Sequence, residues 1–427
     1  MPYATRTSVK THRQVENSQY RKTTLENGVR VVSESIPHVR SVSLGIWANV
    51  GSRDEGPTQN GISHFLEHMV FKGTKNRNVR EIAQSLESLG GYLNAFTTKE
   101  QTCFYARVLD TNISEAMDVL ADIVLHATFD KKEMEREKQV VIEELKNAED
   151  DPEDIIHDYF ERSIFPDHSL GYPIIGTEEN VRRFRQDDLR AHIAHHYQSD
   201  RIVISAAGNV DHEALVRLSR KYFNRVRKAS GEHSRIAGPV RSTDGDTVEY
   251  RRPINQAHIC LGTLSYSIGH PDRYTLMLTN ALLGEGMSSR LYQTIREKHG
   301  MAYTVYSFVN LLSDTGVFGA YLGTDRKNIQ NAIGLVFKEL DRLKRRAVPL
   351  AELNRTKSQI KGTLMLGLEN MSGRMIRLGS AELYVERYVS LDTILSWVDA
   401  VTPEDILRVA NDVFDEKRFS SVIIRPT

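Results

Sequence analysis

The feature that most limits how this chain folds is that its second half repeats the plan of its first. The run Asp188-Leu189, then Tyr197, then Arg201-Ile202-Val203-Ile204 parallels Asp405-Ile406, then Phe414, then Arg418-Phe419-Ser420-Ser421-Val422-Ile423-Ile424. Glu87-Ser88-Leu89-Gly90, set before a strand-like run, parallels Glu297-Lys298-His299-Gly300 before Met301–Phe308. A repeat of roughly 210 residues is too long for a solenoid unit and points instead to two duplicated domains. The length of 427 residues agrees, because it exceeds one ordinary core.

Local patterning gives each copy its fold class. Thr23–Val32 places Asn27-Gly28 between two strand-like runs, a strong hairpin signal. Ser41–Val50 reads as a strand, and the helical period runs from Gly61 to Phe71 and from Val79 to Leu89. After Gly90-Gly91 come strand-like Tyr92–Thr97 and Thr102–Leu109, then a long helical region through Glu144. Asp187–His196 reads as a helix and Arg201–Ala207 as a strand. The expected class is α+β: two duplicated α/β-layered domains, each an antiparallel-rich sheet packed by helices. Lys228–Asp246 is rich in Gly, Ser and charge, and reads as an exposed linker. The expected organisation is a tail over 1–20, a metal-binding domain over 21–227, a linker over 228–246 and a homologous domain over 247–427.

Composition narrows the function classes. Lys plus Arg (56) balances Asp plus Glu (56), so the net basic footprint of a nucleic-acid binder is missing. No run of 18 apolar residues exists to span a membrane. Cys103 and Cys260 are too few for a disulfide framework, which suits a reducing compartment. The expectation is a cytoplasmic, bacterial-type soluble protein. Residues 1–19 carry Arg6, Lys10 and Arg13 with no acid before Glu16. They read as a disordered tail or, alternatively, as a presequence for the mitochondrial matrix.

The chemistry is concentrated in Gly61-Ile62-Ser63-His64-Phe65-Leu66-Glu67-His68-Met69-Val70-Phe71. Residues four apart on a helix stand one above the other, so His64 and His68 can offer two imidazoles to one metal ion. Glu67, three after His64, points to the same face. Downstream, Glu137 and Glu144 are two helical turns apart and share a face. One can bind the metal while the other supports it from behind. Two His and one Glu leave a tetrahedral position open, as a catalytic zinc site requires. Without the upstream motif the two glutamates would read as a solvated acidic face.

His64-Phe65-Leu66-Glu67-His68 has the inverted zincin order. Its setting, Gly61-Ile62-Ser63-His64-Phe65-Leu66-Glu67-His68-Met69-Val70-Phe71-Lys72-Gly73-Thr74, resembles the pitrilysin, insulinase and mitochondrial processing peptidase family, closest to the bacterial processing-peptidase-like branch. The resemblance runs from about Tyr20 to Pro426 and implies a zinc metalloendopeptidase. In that family a glutamate 76 residues after the second histidine completes the metal site, which selects Glu144 over Glu143. The implied set is His64, His68 and Glu144 as ligands of one zinc per chain, Glu67 as general base and Glu137 as the supporting carboxylate.

The resemblance also implies that Arg296 and Tyr303, seven apart in the second half, act at the site. Tyr303 would stabilise the oxyanion and Arg296 would fix the substrate. The strand holding Asn94, Ala95 and Phe96 is similar to the family's substrate-binding edge. The second half lacks ligands: Thr275–Thr279 stands opposite His64–His68, and Thr363 opposite Glu144. The family encloses peptides or unfolded segments in a clamshell of four such domains. Two domains per chain therefore imply a homodimer, or a heterodimer with an inactive homologue. The alternatives are a non-catalytic core subunit of the same fold and a peptide-binding subunit that needs a partner. The glycine-rich loop of a regulatory subunit is represented only by Leu283–Met287.

Overall fold

The computed structural model describes residues 19–228, 235–239 and 245–427. Its first half contributes β1 (Gln19–Thr24), β2 (Arg30–Ser35), β3 (Ser41–Ala48), β4 (Tyr92–Thr97), β5 (Thr102–Leu109) and β6 (Ile202–Gly208). These form one sheet in the order β1-β2-β6-β3-β5-β4. Only β2 and β6 run parallel; every other neighbouring pair is antiparallel. The hairpin from β1 to β2 turns through Gly28 at φ 101°, a conformation glycine adopts without a Cβ clash.

The helices of this half are α1 (Ile62–Met69), α2 (Val79–Glu87), α3 (Ile113–His126), α4 (Lys131–Asp150), α5 (Pro152–Ile164), α6 (Glu178–Arg183), α7 (Gln186–His196) and α8 (His212–Phe223). The second half adds β7 (Thr247–Arg252), β8 (Ala257–Ser265), β9 (Ala302–Leu311), β10 (Gly316–Thr324) and β11 (Ser420–Pro426). Its helices are α9 (Arg273–Gly284), α10 (Ile329–Arg345), α11 (Leu350–Gly367), α12 (Met371–Val385), α13 (Leu391–Ala400) and α14 (Pro403–Val413), with a π-helical segment at Tyr292–Lys298.

The second sheet has the order β7-β11-β8-β10-β9, and again a single parallel pair, β7 with β11. Strand for strand it repeats β2-β6-β3-β5-β4 of the first. The duplicated α+β architecture read from the sequence is therefore the architecture observed.

Each sheet buries one face under helices of its own half. Phe65, Leu66, Leu120 and Leu189 close the first core, and Leu276, Ile295, Val336 and Ile406 the second. The opposite faces are covered by exchange. Helix α12, from the second half, packs on β2, β3 and β6, with Met375 and Leu378 against Trp47, Cys103 and Val203. Helix α5, from the first half, packs on β8 and β11, with Ile156 and Phe160 against Cys260, Val422 and Ile424.

Two equivalent glycines make room for the exchanged helices. A Cβ on Gly45 of β3 would lie 2.4 Å from Met375 Sδ, and one on Gly262 of β8 would lie 2.7 Å from Phe160 Cζ and 2.1 Å from the Phe318 carbonyl oxygen of β10. Buried carboxylates pin α12 further: Glu382 takes Lys22 at 2.7 Å and Arg30 at 3.3 Å, and Glu34 takes Arg374 at 2.6 Å.

This exchange revises the expected organisation. The segments 21–227 and 247–427 each lend a helix to the other's sheet, so neither completes its core alone. The tail expected over 1–20 ends earlier, because Gln19 and Tyr20 already pair in β1; residues 1–18 lie outside the described residues. The linker expected over 228–246 is described in part, and 235–239 is not a free tether. Arg235 Nε and Nη2 donate to Asp54 at 2.8 Å, and Gly238 N donates to Asp314 at 2.8 Å. Its cation pairs with carboxylates buried at the junction of the halves, a feature composition cannot distinguish from solvated charge.

Candidate metal centre

Helix α1 starts on a backbone that few residues tolerate. Gly61 caps it at φ 97°, where an added Cβ would meet Ile175 O at 2.6 Å. The unpaired amides of its first turn are met by Glu55, whose carboxylate accepts Gly61 N–H at 2.7 Å and Ser63 N–H at 2.8 Å. Burial pushes the Glu55 carboxyl up to about 7, against the hydrogen bonds that favour its anion. Phe65, Leu66 and Met69 are fully buried, so the opposite face presents His64, Glu67 and His68.

Helix α4 is capped by Asp130, which accepts Lys132 N–H and Glu133 N–H. It buries Met134, Val141 and Ile142, and that orientation turns Glu137 and Glu144 towards α1. His64 Nε2 lies 3.8 Å from Glu144 Oε1, and His68 Nε2 lies 3.5 Å from Glu144 Oε2. A ligand atom from each of the three residues falls within 4.8 Å of the other two. Tetrahedral zinc with bonds near 2.0–2.1 Å would set its ligand atoms about 3.3 Å apart, so only small adjustments are needed.

The donor chemistry fits as well. In the neutral ring His68 Nδ1 donates to Glu137 Oε1 at 2.9 Å and leaves the Nε2 lone pair for the cluster; burial lowers the pKa of this histidine, but the Glu137 hydrogen bond and the charges of Glu144, Glu137 and Glu67 outweigh it and raise it. Lys72 Nζ, 2.7 Å from Glu137 Oε2, holds that carboxylate in place. Burial, with hydrogen bonds from His68 and Lys72 opposing and outweighing it, leaves Glu137 below the usual carboxylate range. Burial and the neighbouring His68 push His64 down to about 4, so its imidazole is neutral near pH 7. His64 Nδ1 is buried and has no hydrogen-bond partner among the described residues. The two imidazoles are therefore supported unequally.

Glu67 stands beside this cluster and accepts a 2.6 Å hydrogen bond from Thr97 Oγ1 of β4. Burial raises its carboxyl, with Glu144 adding to the effect and Thr97 and His68 opposing it. His64, Glu67 and Glu144 open onto a cavity of about 750 Å³, shared with Ala95 and Phe96 of β4, Asp158 and Glu161 of α5, and β9.

The residues predicted for substrate and catalysis divide. Ala95 and Phe96 line the cavity; Asn94 does not. Asn94 is exposed, and its Oδ1 accepts the N–H of Ala95 at 2.8 Å on β4, an edge strand. Arg296 and Tyr303 are brought to each other, with Arg296 Nη1 donating to Tyr303 O at 3.0 Å and the guanidinium 4.6 Å from the Tyr303 ring. Neither lines the cavity of its own chain, and Tyr303 is 73% exposed.

Other residues here had left no reading in the sequence: Glu55, Lys72, Thr97, Asp158 and Glu161. Helical spacing could have found Lys72, four after His68, and strand alternation could have found Thr97, two after Ala95. No local signal marked Glu55.

Two family profiles match the chain. One, described as insulinase (peptidase family M16), covers residues 30–178; the other, described as the peptidase M16 inactive domain, covers residues 183–360. The chain belongs to this peptidase family. Among similar proteins, the uncharacterized zinc protease YmxG of Bacillus subtilis is 43% identical over 404 residues, 95% of this chain and 98% of its own. The uncharacterized zinc protease SCO5738 of Streptomyces coelicolor is 38% identical over 409 residues, 94% of this chain and 89% of its own. The fold is also that of a protease from Helicobacter pylori, at TM-score 0.88 and 23% identity, covering 96% of this chain and 100% of the other. A peptidase M16 inactive domain from Pseudomonas fluorescens gives 0.89 at 19%, covering 96% of this chain and 98% of the other. No helix among the described residues is long and apolar enough to cross a membrane.

Proposed function

We propose that the protein is a zinc-dependent endopeptidase that hydrolyses peptides or unfolded segments, with one zinc per chain held by His64, His68 and Glu144. The observation that carries this reading is the convergence of three electron-pair donors beside a half-buried carboxylate and an open cavity. Bound there, zinc supplies Lewis-acid polarisation of a carbonyl and lowers the pKa of water towards about 7.

Glu67 is the general base. Its raised carboxyl makes it a better proton acceptor than an exposed glutamate, and its Thr97 contact fixes which oxygen remains available. Having taken a proton from the attacking water, it hands that proton to the leaving amine. Glu137 orients His68 and takes no part in the proton transfer.

Substrate pairs with the open edge of β4. There Asn94 Oδ1 occupies the Ala95 N–H, and a substrate carbonyl takes its place. Because main-chain pairing needs an extended partner, unfolded segments are cleaved and compact folded proteins are not.

Arg296, half-buried, and Tyr303, exposed, both outside their own chain's cavity, act at the metal centre of a second subunit, with Tyr303 donating to the oxyanion. The working form is then a homodimer; in the alternative, a heterodimer with an inactive homologue, the partner would supply these two groups to this chain's site. The test is cleavage of a quenched fluorescent peptide before chelation, after it and after zinc return, with the mass in solution measured by sedimentation. Loss and recovery of turnover support the reading; turnover that is indifferent to chelation, or a fully active monomer, counts against the corresponding part.

A further inference from the structure

The two halves present equivalent turns to one arginine. In the first half β4 passes into β5 through residues 98–101, closed by Thr98 N–H donating to Gln101 O at 2.8 Å. In the second, β9 passes into β10 through residues 312–315, closed by Leu312 N–H donating to Thr315 O at 2.9 Å. Glu100 and Asp314 hold the same place in these turns, third of the four residues. Both reach Arg53, whose side chain is 1% exposed. Its Nη1 donates to Glu100 Oε1 at 2.6 Å and to Asp314 Oδ1 at 2.7 Å, and its Nη2 to Asp314 Oδ2 at 2.7 Å. The turns also meet directly, because Ser313 donates from N and Oγ to the Glu100 carboxylate at 2.9 and 2.6 Å. A guanidinium buried this deeply, forked onto one acid and bonded to another, leaves the separation of the two turns little freedom. Each contact that breaks leaves a charge unpaired away from water.

What this link holds is next to the metal centre. Strands β4 and β9 are the edges of their sheets, so among the described residues each has a ladder partner on one side only. Ala95 and Phe96 of β4 and Val309 and Leu311 of β9 line the same cavity as His64 and Glu67. Thr97, the last residue of β4, is the one that holds Glu67. The next three carbonyls, of Thr98, Lys99 and Glu100, accept from Ser52 N, Arg53 N and Arg235 Nη2 at 3.3, 2.8 and 2.7 Å. The turn that follows Thr97 is therefore held by the main chain and the side chain of Arg53 together.

We propose that Arg53 is a positioning residue for the peptidase. It sets the separation of β4 and β9, the two strands that flank the substrate, and through the turn after β4 it keeps Thr97 on Glu67. Arg53 does not itself line the cavity. The metal-free half thereby takes part in catalysis within its own chain, through Asp314. The proposal rests on the peptidase reading for what lies between the strands, but the link itself can be measured without substrate.

The experiment compares full-length wild type with Asp314→Ala, whose lost carboxylate is 39% exposed and leaves Arg53 paired with Glu100. Asp314→Glu keeps the charge, and Glu100→Gln loosens the same link from the first half; circular dichroism checks that each variant folds. Amide hydrogen exchange is expected to quicken about ten-fold in β4 and β9 of Asp314→Ala and to stay unchanged in the interior strands β3 and β8. At unchanged zinc content its kcat should fall about ten-fold with KM little altered, while Asp314→Glu cleaves near the wild-type rate. Glu100→Gln, where it folds, should follow Asp314→Ala. Exchange that quickens evenly over all strands, or in none, would overturn the proposal. A wild-type kcat in folded, zinc-loaded Asp314→Ala would sink this inference alone. Selective loosening of β4 and β9 beside a wild type that never cleaves would sink the peptidase reading and keep the link.

Discussion

His68 Nδ1 lies 2.9 Å from Glu137 Oε1, while its Nε2 faces Glu144 at 3.5 Å. One imidazole thus joins a carboxylate behind it to the proposed metal position in front. Among the described residues His64 has no such support at its own Nδ1. Removing Glu137 should therefore release the better-oriented of the two histidines. Glu137→Ala is expected to weaken zinc binding by about 10–100-fold. Competition with a zinc chelator of known affinity measures this, and an unchanged affinity would mean that the contact does not orient His68.

Glu55 closes the start of the helix that carries both histidines. Glu55→Ala leaves two amides of α1 without an acceptor in a buried place and opens a hole. A loss of about 2–4 kcal/mol in denaturant unfolding is expected. Glu55→Gln keeps one oxygen acceptor and should lose less. Equal losses in the two variants would argue that filling space, and not capping, is what Glu55 provides.

The exchanged helices predict how the protein unfolds. Because α5 completes the second sheet and α12 the first, calorimetry should give one cooperative transition and not two. Gly45→Val drives a side chain towards Met375 of the exchanged helix and should lower stability by about 1–3 kcal/mol while keeping the single transition. Two separable transitions in the wild type would contradict the interlock.

His192, on α7, is buried against Ser63, with Ser63 Oγ 3.2 Å from its Nε2. Burial, with help from His195 and Arg201, pushes it down to about 4. Its folded pKa lies below its unfolded value near 6.5, so the unfolded chain takes up the proton first. Stability is complete above pH 6.5 and falls as pH drops towards 4, at up to about 1.4 kcal/mol per pH unit for this one group. On metal-free protein, His192→Gln should flatten the fall in melting temperature between pH 6.5 and 4.5. An unchanged slope would assign the acid sensitivity to other groups.

Much of this molecule was legible in the sequence because its signals are local. Strands β4 and β5 fall at the expected Tyr92–Thr97 and Thr102–Leu109, since alternation and the flanking Gly90-Gly91 mark them. The four-residue spacing of His64 and His68 placed both on one helical face, and the structure brings ligand atoms of His64, His68 and Glu144 within 4.8 Å of one another. What stayed hidden depends on long-range partners. Amphipathic spacing shows that Ile156 and Phe160 face a core, but not that this core belongs to the other half. The charge in 228–246 looked solvated because Asp54 and Asp314 lie far away in sequence. Asn94, chosen for its place on β4, is exposed and covers the strand's edge, while Phe96 on the same face lines the cavity, because alternation alone does not say how far along the strand the cavity reaches.

The central claim is that Glu67 moves a proton at a metal held by its neighbours. Its most direct test is Glu67→Gln, with zinc content and peptide turnover measured on the same preparation. The prediction is one zinc per chain, as in the wild type, with turnover reduced by at least about 10²-fold. Undiminished turnover by a zinc-loaded Glu67→Gln protein would contradict it.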